Sequence, residues 1–219
     1  MHISEGILSA PVLISGVALA AAGTAIGLKK LEDQKIPQAA ILSAAFFVAS
    51  LIHVPIGPSS AHLILNGIVG LLLGWAAFPA ILIALLLQGM LFQFGGITTL
   101  GVNTVIMAAP AVICYFLFGF LIHRNGAVSF CASFACGFLS VFFSGILVGL
   151  ALMFTEENFF AVASAVVTVH IPIMIIEGFV AAFCISFLKK VRPELLPFRE
   201  SEPIVMPKGA QQTAESSTL

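Results

Sequence analysis

The sequence predicts an all-α integral membrane protein, and three observations carry that prediction. Of its 219 residues, 60% are hydrophobic and only 9% are charged, with a mean hydropathy of +1.13, whereas a water-soluble domain is about 45–50% apolar. Between Lys35 and Glu156 the sole Asp, Glu, Lys or Arg is Arg124, so a long, almost uncharged run must cross a bilayer repeatedly. Stretches such as ILIALLLQGMLF are apolar on all sides and lack the alternation of a transmembrane β-barrel strand.

Turn signals and charges divide the chain into seven apolar segments. The first runs from Pro11 to Leu28, ended by Lys29 and Lys30, and the second from Gln38 to His53, ended by a Pro/Gly/Ser loop. The third, His62 to Leu73, is short of the ~20 residues a straight crossing needs. Phe78 to Phe94 and Val102 to His123 follow, separated by FGGITTLG; then comes Val128 to Phe154. The last, Phe159 to Leu188, is over-long and interrupted by Pro172. The two irregular segments mark where a cavity can form.

Orientation follows from the basic residues, which favour the cytoplasmic side. With seven crossings, Lys29, Lys30, Lys35, Arg124, Lys189, Lys190, Arg192, Arg199 and Lys208 all fall on one side. The expected topology is therefore N-terminus outside and C-terminus cytoplasmic, in a multi-pass protein of the cell (cytoplasmic) membrane. Residues 1–190 form the transmembrane domain, and residues 191–219 form a polar, disordered cytoplasmic tail, too poor in apolar residues to fold. His2 and Glu5 stand where a signal peptide would carry positive charge, so the first residues are expected to stay on the mature chain.

Several function classes are excluded. Cys114, Cys131, Cys136 and Cys184 lie in apolar runs without CxxC spacing and read as buried free thiols. A net charge of −1 gives no basic face for nucleic acid. No GxxxxGK[ST] sequence cradles a nucleotide, and neither HExxH nor GxSG is present. The chain is read as a non-enzyme without an organic cofactor.

The opening residues MHISEG carry the chemistry. A free terminal amine at Met1, the amide nitrogen of His2 and the Nδ1 of its imidazole can close a five-membered and a six-membered chelate ring around one metal ion. A fourth planar nitrogen would complete a square suited to Ni(II) or Cu(II). The alternative is an exposed terminal histidine. His53 and His62 bracket the segment HVPIGPSSAH on the same outer face, and His62, opening the short third segment, is the better candidate for the fourth nitrogen. In HIPIMIIEG, His170 and Glu177 stand two helical turns apart if the helix continues through Pro172. Glu177 is then either a hydrogen-bonded anchor between helices, with His170 a supporting donor, or part of an ion path. Asn66, Gln88, Gln93 and Asn103 can hydrogen-bond across helices or orient ligand histidines. Small-residue pairs such as Ala40 with Ala44 and Gly145 with Gly149 permit close helix contact.

MHISEG, GPSSAHLILNGIVGLLLGWAAFPA, FGGITTLGVNTVIMA and HIPIMIIEG together resemble, in order from Met1 to about Leu188, the CbiM/NikM family. These are the metal-binding S components of energy-coupling-factor (ECF) cobalt and nickel transporters. The resemblance implies a seven-helix S-component bundle with an inserted N-terminus, holding Ni2+ or Co2+ through Met1, His2 and His62. It also implies a transmembrane T component, two cytoplasmic ATPase subunits and a small accessory membrane subunit as partners. At His62 the sequence reads Ser-Ala-His-Leu, nearer the Gly-His-Leu run of the nickel-type members than the Cys-Ser-His-Pro run of the cobalt-type ones. A stand-alone secondary metal permease with His170 and Glu177 as a proton relay is the alternative; its inverted repeats with paired broken helices are not visible.

Overall fold

The computed structural model describes residues 3–56, 59–155 and 159–196; for residues 53–56, 59–62, 159–167 and 169 it is the backbone that is described. Among the described residues seven α-helices follow one another: α1 (Ala10–Lys30), α2 (Ile36–Ala49), α3 (Asn66–Leu73), α4 (Ala77–Phe92), α5 (Leu100–Phe118), α6 (Gly126–Met153) and α7 (Phe159–Val191). Between α2 and α3 lies a hairpin of β1 (His53–Ile56) and β2 (Ser59–His62).

Among the described residues, five helical stretches are long and apolar enough to cross a membrane: Ala10–Lys30, Asn66–Phe92, Leu100–Leu121, Gly126–Met153 and His170–Val191. The chain is thus a multi-pass membrane protein. α2, with 14 residues, extends about 21 Å and is shorter than the ~30 Å hydrocarbon core. The second of the five stretches joins α3 to α4 through a 3-10 turn at Gly74–Ala76, where Gly74 takes a φ of 55°, a conformation glycine adopts without strain.

α1 starts with Pro11 in its first turn and ends on Lys29 and Lys30, which complement the negative end of the helix dipole. Its buried face is Gly16, Ala20, Gly23 and Gly27, a stripe of small residues against α4 and α5. Away from that stripe Ile14, Val17 and Leu19 are exposed.

One end of the bundle gathers the charges. There Lys189 Nζ donates to the Ile122 and Arg124 carbonyls at 2.8 and 2.5 Å, and Gln38 on α2 donates to the Leu195 carbonyl at 3.2 Å. Lys30 lies over the Trp75 ring, 5.7 Å from its centroid, and Lys35 pairs with Glu32. The lysines that end α1 and α7 thus share one end with Arg124.

The hairpin departs from the all-helical expectation. His53 and His62 were expected to end one helix and begin the next; instead α2 stops at Ala49 and α3 starts at Asn66. Pro55, Gly57 and Pro58 between them disfavour helix over this stretch, and paired strands satisfy backbone groups that would otherwise be stranded. Pro172, by contrast, does not interrupt α7. Of the four cysteines, Cys114 and Cys136 are buried free thiols, whereas Cys131 and Cys184 are exposed ones.

Candidate metal site

The end opposite the lysines is assembled on α5. Ile3, 4% exposed, is inserted into the core with its backbone clasped by one side chain. Its N–H donates to Asn103 Oδ1 at 3.0 Å, and its carbonyl accepts from Asn103 Nδ2 at 3.1 Å. Asn103 Nδ2 also donates to Thr99 Oγ1 at 3.2 Å, which fixes the amide's orientation. An amide is suited to this task because it offers donor and acceptor side by side, as a neighbouring strand would.

Two further ties hold the segment that follows. The Thr98 N–H donates to Glu5 Oε1 at 3.1 Å, and this backbone bond holds the Glu5 carboxyl below its ordinary value of 4.5. The contact requires glycine at position 96, where φ is +144° and a Cβ would stand 2.0 Å from Glu5 Cγ. Ser9 donates its N–H to Thr155 Oγ1 and its hydroxyl to the Phe154 carbonyl, both at 3.3 Å. The N-terminal segment is therefore bound to α5, to the FGGITTLG loop and to the end of α6. Met1 and His2 lie outside the described residues, immediately ahead of the clasped Ile3.

The second histidine-bearing segment is the hairpin. Its antiparallel register pairs His53 with His62, Val54 with Ala61, Pro55 with Ser60 and Ile56 with Ser59. The chain leaving His62 is then pinned from below. Glu177, 1% exposed, accepts the N–H of Ile64 through Oε1 and the N–H of Leu65 at 2.9 Å from Oε1 and 3.1 Å from Oε2. Leu65 has a φ of 58°, a left-handed conformation that costs a non-glycine residue free energy and is held by this carboxylate. Glu177 also stands at the N-terminus of α3, where unpaired N–H groups and the helix dipole favour negative charge.

Asn66, fully buried, completes the anchor. Its Nδ2 donates to the Met107 carbonyl at 3.2 Å and to Ser144 Oγ at 3.0 Å, and its Oδ1 accepts from Ser140 Oγ at 3.0 Å. Glu177 reaches this place because α3, α6 and α7 touch through glycines. A Cβ at Gly137 would stand 2.5 Å from the Glu177 carbonyl oxygen, and one at Gly67 would stand 2.7 Å from Ser140 Oγ.

The structure thus connects Asn103 to the residue after His2, Asn66 and Glu177 to the segment after His62, and His53 to His62 across a hairpin. Asn103 and Met107 are one turn apart on α5, so the two anchored segments meet that helix within about 6 Å along its axis. His170 is buried on α7, seven residues before Glu177. Among the described residues no group of three His, Cys, Asp or Glu forms a ligand set. Thr99, Ser140, Ser144 and the Glu5–Gly96 contact were not singled out from sequence. For Glu5 a signal existed, as it stands in MHISEG and the paired glycines lie in FGGITT; for the serines there was none.

Fold and site together define a polytopic helical membrane protein whose lysine-free end is built from an inserted N-terminal segment and a histidine-bearing hairpin. The chain belongs to the CbiM family: the family model described as cobalt uptake substrate-specific transmembrane region matches residues 2–195. A putative metal transport protein of Haemophilus influenzae is 43% identical over 199 residues, covering 90% of this chain and 97% of the relative. A putative fused nickel transport protein NikMN of Archaeoglobus fulgidus is 29% identical over 201 residues, covering 90% of this chain and 68% of the relative. Among solved structures, the crystal structure of a transition metal transporter superposes with a TM-score of 0.71 at 27% identity, over 87% of this chain and 93% of that one.

Proposed function

We propose that this protein is the substrate-capture S component of an ECF-type transporter that imports Ni2+ or Co2+. The metal is held by the Met1 amine, the His2 amide nitrogen and imidazole, and His62. The observation that carries this reading is the convergence on α5: the Asn103 clasp on Ile3 and the Asn66 bond to Met107 bring the segments bearing His2 and His62 onto adjacent turns of one helix.

Seven crossings with the N-terminus outside place the lysine end in the cytoplasm, in keeping with the preference of Lys and Arg for that side. There a T component and two ATPases would meet the bundle and supply the energy. The fused Archaeoglobus relative, of which this chain covers 68%, supports the idea that such chains work with further membrane subunits. Residues 1–190 are the metal-binding unit and 191–219 a cytoplasmic tail. Glu177, with both carboxylate oxygens engaged by backbone N–H groups, serves as the anchor of the His62 segment and not as a proton relay. The planar four-nitrogen set and the affinity order of divalent metals favour Ni2+ over Co2+ at this site.

The test is equilibrium binding of Ni(II), Co(II) and Zn(II) by the purified chain in detergent, with the native N-terminus and with one residue added ahead of Met1. Loss of tight Ni(II) or Co(II) binding on extension is the expected result. Binding that survives extension would refute the terminal amine as a ligand and move the site to His53, His62 and His170.

A further inference from the structure

A cavity of about 400 Å3 opens at the lysine end, between the end of α1, the start of α2, the 3-10 turn that joins α3 to α4, the end of α5 and the turn at Pro193–Leu195. Gln38 ties that last turn down through the Leu195 carbonyl. Lys30 and Lys35 line the cavity together with Trp75 and Tyr115. Lys30 is paired with no carboxylate among the described residues and lies over the Trp75 ring. Lys35 meets Glu32 at 3.2 Å, with side chains 52% and 68% exposed, and so exposed a pair holds its partners weakly. Glu194 is the one carboxylate on the wall, and Arg192 neutralises it at 3.1 Å. The cavity is therefore cationic, and its indole and phenol rings are of the kind that sit at headgroup depth.

Two apolar grooves adjoin it, one on each side of α2. The wider, of about 360 Å3, runs between α1, α2 and α4 and shares Leu31 and Ala76 with the cavity wall. On α2 it is lined by Ala39, Ala40 and Ala44, whose small side chains leave the space. The narrower, of about 250 Å3, lies between α2, α3 and α7 and shares Leu72 with the cavity. There α2 contributes Leu42, Ala45 and Phe46. Apolar walls at membrane depth take hydrocarbon in preference to water.

We propose that the cavity and its two grooves seat one anionic phospholipid. The headgroup phosphate lies between Lys30 and Lys35, with the Lys30 ammonium steadied on the Trp75 face, and the two acyl chains straddle α2. One charged head and two apolar tails match a cationic cavity that leads into two apolar grooves. A soluble phosphate would engage the lysines alone and leave both grooves unused. A zwitterionic lipid would bring its own cation toward two lysines, so the headgroup that fits carries net negative charge, as phosphoglycerol does. This site stands apart from the metal end and does not depend on the terminal chelate.

Trp75 is the sole tryptophan of the chain, so its fluorescence reads the cavity directly. The full chain in nonionic detergent is titrated with phosphatidylglycerol brominated near the top of its acyl chains, and in parallel with phosphatidylcholine brominated in the same way. Quenching is taken relative to each variant's own unquenched emission. Phosphatidylglycerol should reach half-quenching at a mole fraction at least about fivefold lower, the attraction of one lysine. Lys30→Gln should lose about fivefold in sensitivity to phosphatidylglycerol and keep its response to phosphatidylcholine, whereas Lys30→Arg should retain the native preference. Lys190→Gln, at the same end but off the cavity wall, should retain it too. Ala44→Phe fills the wider groove and should reduce quenching by phosphatidylglycerol. An equal concentration of soluble glycerol phosphate should leave the quenching in place. Equal quenching by the two lipids, or a loss in Lys190→Gln as large as in Lys30→Gln, would overturn the site in favour of general surface charge. Relief by glycerol phosphate would make it a site for a soluble anion, and native quenching in Ala44→Phe would take the acyl chain out of its groove; either result refutes the phospholipid.

Discussion

Asn103 and Glu177 do for two loose stretches of backbone what a neighbouring strand does in a sheet. At membrane depth no water is available to pair an N–H or a carbonyl, so a segment that enters the bundle without helical bonds must be met by side chains. Replacing Asn103 by leucine strands the N–H and carbonyl of the buried Ile3 and should cost roughly 2–6 kcal/mol of unfolding free energy, at about 1–3 kcal/mol per unsatisfied group. On the proposed chelate it should also weaken Ni(II) binding, because the clasped backbone of Ile3 leads directly to the proposed ligands. Denaturant unfolding in detergent and metal titration of the same variant check both, and a variant with native stability and affinity would discard the clasp. Glu5 makes a separate, pH-dependent tie. Its carboxyl is held below its ordinary value of 4.5 by the Thr98 N–H, so the bond favours the folded N-terminal segment above that value. The contribution disappears as the pH falls through the depressed folded-state value. The protection of the Thr98 amide, its exchange relative to the unprotected rate at the same pH, should therefore fall on acidification below about pH 4.5, and Glu5→Gln should remove that dependence.

Helices were legible in the sequence because their lengths are set by the bilayer and their ends by charge, Gly and Pro. α1, α4, α5 and α6 begin and end within a few residues of where hydropathy puts them, and α7 runs on to Val191. The hairpin was not legible, since HVPIGPSSAH has no alternation of apolar and polar residues, and its strands form from the need to pair backbone rather than from side-chain pattern. The start of α3 was missed by four residues for a related reason. What determines it is Glu177, a residue 111 positions beyond Asn66, and no local signal carries that contact. Asn103 was named as a candidate from its type, yet its partner, the backbone of Ile3, could only come from the fold. Element packing makes its own prediction at Gly137. A methyl there would stand 2.5 Å from the Glu177 carbonyl oxygen and 2.9 Å from Ala181 Cβ, so α6 and α7 must part. Gly137→Ala should lower the unfolding free energy by about 1–3 kcal/mol, the usual cost of overpacking, and, by shifting Glu177 from Ile64 and Leu65, weaken metal binding as well. A variant as stable as the native chain by denaturant unfolding would show that the helices yield there freely.

Across the whole molecule, polarity is separated along one axis. Among the described residues the lysines and Arg124 collect at one end, while the other carries Glu5, the clasped N-terminal segment and the hairpin, with an almost uncharged bundle between. A cation approaching that second end meets the Glu5 carboxylate and, on the proposed chelate, nitrogens that bind only when they are deprotonated. Protons and metal therefore compete, and the sign is fixed. The terminal amine ordinarily titrates near pH 8 and each imidazole near 6.5, so the metal-free site gains protons as pH falls through these values and metal binding must displace them. Between about pH 7.5 and about pH 5.5 the two imidazoles and the amine together should lower apparent Ni(II) affinity by at least about a thousandfold, with the amide proton adding to this. A site made of carboxylates and carbonyls would change far less over the same range, because carboxylates ordinarily stay ionised there. Titration of the purified chain with Ni(II) across that range separates the two: a steep loss requires nitrogen ligands, and a flat profile would remove His2 and His62 from the site.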